Sequence, residues 1–115
     1  MLTVALGLFA VAAAGGLLMV ALRVRSQANP PVAIALLHGA LAATALVLLV
    51  LQVANGTASG TLSFTSVGLF VLAALGGFYL FATHLSGKLI PLGVVGIHAT
   101  VAVIAFLLLA AVVLG

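Results

Sequence analysis

The chain has 115 residues, 67% of them apolar and 3% charged, and Arg23, Arg25 and Lys88 are its only formally charged side chains, with no Asp or Glu. Such a composition excludes a water-soluble domain, which needs a polar surface, and so small a positive surplus excludes nucleic-acid binding. The absence of cysteine removes disulfides, thiolate metal sites, iron–sulfur clusters, thiol nucleophiles and covalent haem attachment.

A hydrocarbon core of about 30 Å takes roughly 20 apolar residues per helix, so the length predicts four spans with short joints and no room for an extramembrane domain. The first runs from about Met1 to Leu22 and stops at Arg23-Val-Arg25-Ser-Gln-Ala-Asn29-Pro30-Pro31, where charge and two prolines force a turn. A cleaved signal peptide is not expected, because no cation precedes this apolar run. The second helix follows from Val32 to about Ala54. After the polar, uncharged Asn55-Gly-Thr-Ala-Ser-Gly-Thr61 comes a third, from about Phe64 to Ala82. Ser86-Gly87-Lys88 makes a tight joint, and the fourth helix runs from about Pro91 to Leu114. All three cations fall in or beside the first and third joints, which the positive-inside rule assigns to the cytoplasm. Both termini are then expected on the non-cytoplasmic side, with a bacterial inner membrane as the expected location.

The two halves match when shifted by 61 residues: Gly7-Leu8-Phe9 on Gly68-Leu69-Phe70, Ala12-Ala13 on Ala73-Ala74, and Gly15-Gly16 on Gly76-Gly77. After a one-residue deletion, Pro31 matches Pro91, His38 matches His98, and Ala42 and Ala45 match Ala102 and Ala105. In an Ala/Leu/Val alphabet the Gly, Pro and His identities carry the argument. The predicted fold is an all-α membrane protein: one transmembrane domain, 1–115, forming a four-helix up-down bundle of two tandem parallel two-helix repeats, 1–54 and 64–115.

An ionisable side chain within a bilayer is costly and marks a functional site by default. A twofold axis along the membrane normal places His38 and His98 at equal depth, about seven residues or roughly 10 Å inside their helices. Helices two and four are diagonal in such a bundle, so the two imidazoles can approach one metal from opposite sides, as axial ligands of a haem iron. Gly15, Gly16, Gly76 and Gly77 reach the same depth from helices one and three, where a missing Cβ would let a porphyrin edge approach. Ala42 and Ala45, with Ala102 and Ala105, continue the small surface on the histidines' own helix faces. Arg23, Arg25 and Lys88 lie at the end where the two propionates would emerge. The second imidazole N–H has no carboxylate to meet and is expected on a backbone carbonyl near Ile34 and Val94, a hydroxyl or water.

Here the chain resembles the four-helix membrane b-type cytochromes, in which two histidines hold haem between helices and glycines lie where the macrocycle touches the others. The resemblance rests on His38, His98, Gly15, Gly16, Gly76 and Gly77. It implies one haem b, electron transport with a quinone or within a larger redox complex, and no independent catalysis. Many members hold two haems with four histidines, whereas this sequence has one matched pair. The competing reading of the pair is an interhelical hydrogen bond in a cofactor-free accessory subunit, with small residues serving helix packing. A small proton-coupled transporter is disfavoured by the lack of an intramembrane carboxylate. His84, aligned with Arg23, reads as an interfacial polar residue; Thr44, Thr100 and Gln52 receive no chemistry, and Tyr79 reads as core.

Overall fold

The computed structural model describes Met1–Gly115 and contains four α-helices and no strand: α1 (Leu2–Ser26), α2 (Val32–Ala54), α3 (Thr61–Leu85) and α4 (Leu92–Leu114). All four are long and apolar enough to cross a membrane. They form an elongated bundle, 43 × 21 × 21 Å, matched to bilayer dimensions.

The helix starts follow from proline. Pro31 and Pro91 stand as the N-caps of α2 and α4 in extended conformation, and their carbonyls accept from Ala35 and Val95 to begin each ladder. The ends of α1 and α3 use left-handed residues, Gln27 at φ 54° and Gly87 at φ 75°. Only the second is a residue to which that conformation is freely open.

Helix α1 runs one turn further than expected, through Arg23 and Arg25 to Ser26. The charge of Arg23 does not end it, because that side chain turns inward and finds an acceptor across the bundle. Helix α3 likewise extends beyond the apolar run at both ends. Its added polar residues stay within the helix because Ser63 and Thr83 donate to the carbonyls of Ser59 and Tyr79 four residues earlier.

Helices α1 and α2 pack closely along their length, as do α3 and α4, and the two hairpins meet through α1 with α4 and α2 with α3. The resulting square has two diagonals, α1 to α3 and α2 to α4. Small side chains fill the interior: Ala5, Ala45, Ala105, Ser63 and Ser66 are fully buried. Large ones point outward, with Leu17 72%, Phe78 70% and Ile97 67% exposed. This distribution suits lipid as the surrounding solvent, where close backbone approach rather than apolar burial drives association. Ser66 donates to the carbonyl of Ala105 at 2.9 Å and ties α3 to α4. Across the α1–α3 diagonal the rings of Phe9 and Phe70 stack, centroids 3.8 Å apart and planes within 3°. With Ala45, Leu49, Ala105 and Leu109 they form the core beyond the midpoint of the bundle.

Candidate functional site

The other diagonal carries the histidines. His38 on α2 and His98 on α4 face each other with ring centroids 6.3 Å apart and planes inclined at 75°. Each ring is held from the neighbouring helix of its own hairpin. Nδ1 of His38 donates to the carbonyl of Ala12 at 2.7 Å, and Nδ1 of His98 donates to the carbonyl of Ala73 at 2.7 Å. A carbonyl oxygen only accepts, so Nδ1 carries the proton in both rings, and in the neutral imidazole Nε2 is then a free acceptor or metal ligand. The expected carbonyls near Ile34 and Val94 do not serve. Those positions lie on the histidines' own helices, where carbonyls are engaged in the α-helical ladder. The acceptor comes from α1 or α3 instead.

The glycine pairs position these rings. A β-carbon on Gly16 would stand 3.2 Å from Cε1 of His38, and one on Gly77 would stand 3.2 Å from Cε1 of His98. Gly15 and Gly76 are a step further away, with a β-carbon 3.9 and 3.5 Å from the Cβ of their respective histidines. Each imidazole thus lies against the bare backbone of the adjacent helix, which brings its Nδ1 within reach of the carbonyl one turn earlier. Ala42 and Ala102 are half-buried, and Ala45 and Ala105 fully buried, beyond the histidines.

Matching contacts recur at separations of 60 or 61 residues: the two histidine bonds, the four glycine contacts and the Phe9–Phe70 pair. At the joint end the match breaks. Arg23 is buried, and its Nε donates to the carbonyl of Ile90 at 3.1 Å, whereas the aligned His84 is half-buried and makes no side-chain hydrogen bond. Arg25 and Lys88 are exposed. Asn29 clamps the joints together: its Nδ2 donates to the carbonyl of Lys88 at 2.7 Å, and its Oδ1 accepts from the N–H of Ile90 at 2.9 Å. In the sequence Asn29 is only one residue of the joint that charge and two prolines turn. Nothing in its surroundings along the chain signals a partner about sixty residues away.

The polar groups left without chemistry are internally satisfied in two cases, the hydroxyls of Thr44 and Thr100 donating to Ala40 and Gly96. An outward-facing apolar groove of about 340 Å³ between α1 and α2, lined by Val11, Gly15, Leu18, Leu37 and Leu41, reaches His38 from the lipid side. No group of three or more His, Cys, Asp or Glu side chains is placed to hold a metal ion; the side chains gathered here are the two imidazoles. No protein-family model, curated protein or solved structure matches the chain.

Proposed function

We propose that this chain is a small membrane b-type cytochrome that holds one haem b between His38 and His98 and passes single electrons. One observation carries the reading: two opposed imidazoles, each with Nδ1–H fixed on a backbone carbonyl and Nε2 free. Two imidazoles that would share one metal, at bonds of about 2 Å each, would have ring centres about 6 Å apart. The spacing here is 6.3 Å. Two protein ligands would leave a bare ion undercoordinated, whereas haem would bring ring nitrogens of its own, so His38 and His98 would suffice to hold it. A haem bound there would supply a reversible one-electron couple. The Ala12 and Ala73 carbonyls would fix ring orientation and tautomer, and a neutral carbonyl makes the imidazole a weaker donor than a carboxylate would. The cations at the joint end would compensate the propionates.

In this reading the two hairpins are copies of one unit related by a twofold axis along the membrane normal. The joints face the cytoplasm of a bacterial cell, placing the haem in the cytoplasmic third of the membrane. One haem at that depth does not span the bilayer, so a diffusing quinone or a larger redox complex completes the circuit. The groove reaching His38 from the lipid side favours a lipophilic partner.

The test is an absorption spectrum of protein purified in detergent after expression with ample haem. A reduced-minus-oxidised difference with the sharp bands of low-spin b haem is expected. A colourless preparation rejects the reading in favour of a cofactor-free accessory subunit. That second reading has its own support, since the bonds to Ala12 and Ala73 are interhelical and would fasten each hairpin without any cofactor.

A further inference from the structure

Arg23 is the one charged side chain that the fold buries, 6% exposed, in a chain with no carboxylate anywhere. Its guanidinium has five N–H donors, and a single protein acceptor, the Ile90 carbonyl, takes one of them. The guanidinium nitrogens without a protein partner are not sealed inside the bundle, so they stand open to an anion arriving at the joint. The surroundings add positive potential. Helices α2 and α4 both begin at this end, at Val32 and Leu92, with no side-chain cap, so the positive ends of two helix dipoles point toward the joints. The backbone at Lys88 and Ile90 is tied to Asn29, which fixes the frame on which Arg23 rests.

Height decides the class of anion. The acceptor Ile90 immediately precedes Pro91, the cap of α4, so the guanidinium stands at the rim of the bundle. From Leu2 to Arg23 the helix rises about 30 Å, one hydrocarbon thickness. The free donors of Arg23 therefore lie at the level of lipid phosphates. We propose that Arg23 is the centre of a binding site for the phosphate of an anionic phospholipid headgroup, gripped by the forked guanidinium at the joint between the two hairpins. A planar fork suits two phosphate oxygens at once. Exposed Arg25 and Lys88 remain for general attraction to an acidic leaflet. The haem reading would give Arg23 a propionate instead, so the two anions would compete for the same donors.

The experiment follows thermal unfolding of the full chain in phosphatidylcholine bicelles, with and without phosphatidylglycerol, alongside native mass spectrometry of retained lipid. Phosphatidylglycerol is expected to raise the unfolding midpoint of the wild type and of Arg25→Gln, by linkage to the folded state. Arg23→Gln should lose most of that shift and the retained lipid. Inorganic phosphate at matched concentration should give no shift. An equal shift in Arg23→Gln overturns the site, and so does a full shift from inorganic phosphate alone. If loading with haem abolishes the lipid effect, a propionate is the anion and the proposal is also overturned. Should Arg23→Gln fail to fold, Arg23→Lys decides: it keeps the charge without the fork, and an undiminished shift there rejects the proposal.

Discussion

His38 and His98 stand 6.3 Å apart, centroid to centroid, across the bundle diagonal, and neither ring bonds to the other. Each is turned instead by the carbonyl of a neighbouring helix, Ala12 or Ala73, so both present the same nitrogen, Nε2, away from its anchor. Two like groups held by like restraints from separate hairpins form an imidazole pair whose spacing the helix packing sets.

If the proposed haem is bound, His38→Ala and His98→Ala are each expected to abolish its low-spin bands, since each would remove one of the two imidazoles that would hold it. His84→Ala should leave the bands nearly intact, because that residue lies at the end of α3 and takes no part in the pair. Absorption spectra of the three variants at equal protein concentration check this. Equal loss in all three would undo the ligand assignment.

The glycines give a graded series. Gly7 has open space where a β-carbon would go, so Gly7→Ala should stabilise or leave unchanged, gaining up to about 1 kcal/mol of helix propensity. At Gly16 and Gly77 the new methyl would meet a histidine Cε1 at 3.2 Å, and the ring is pinned by its 2.7 Å bond. The overpacking cost of about 1–3 kcal/mol then exceeds the propensity gain. Gly16→Ala and Gly77→Ala should be net destabilised in a denaturant titration in micelles, with Gly15→Ala milder. A Gly16→Ala protein as stable as Gly7→Ala would show that the ring is not held.

The four spans were legible because hydropathy and proline act locally. Val32–Ala54 came out with the expected bounds, since Pro31 starts that helix whatever it packs against. The bounds of α1 and α3 were short because Arg23, Ser63 and His84 read as ends, and whether a polar residue ends a membrane helix depends on partners elsewhere. For Arg23 that partner is Ile90, far along the chain. The placement of His38 opposite His98 was legible from the matched halves, but the acceptors Ala12 and Ala73 were not. A backbone carbonyl is the same for every residue type, and helix rotation cannot be read when nearly every face is apolar. The Phe9–Phe70 stack was hidden for the same reason.

Asn29→Ala should loosen the joint end. It removes the acceptor of the Ile90 N–H and the donor to the Lys88 carbonyl, and an unpaired, partly buried N–H costs about 1–3 kcal/mol. Asn29→Asp keeps an acceptor for Ile90 and loses only the bond to Lys88, so it should cost less. Faster proteolysis within 86–91 of Asn29→Ala than of the wild type, under conditions where the helices remain intact, is the expected readout. Identical cleavage rates would show that the two joints do not brace each other.

The Phe9–Phe70 pair spans the diagonal that the histidines do not, and both rings are buried at 6% exposure. Their centroids, 3.8 Å apart and nearly parallel, are closer than the offset or edge-to-face arrangements that ring quadrupoles prefer. The pair should therefore hold the hairpins together by filled volume more than by any special ring–ring attraction. Phe9→Ala empties the space between α1 and α3 and should cost about 3–5 kcal/mol. Phe9→Leu retains much of the volume and should cost below about 1.5 kcal/mol. The coupling in a double-mutant cycle of Phe9→Leu with Phe70→Leu should stay at the low end of aromatic pairs, about 0.5 kcal/mol. Unfolding titrations of the four proteins in one detergent measure it. A leucine penalty as large as the alanine one, with strong coupling, would instead make the stack itself the contact on which association of the two hairpins depends.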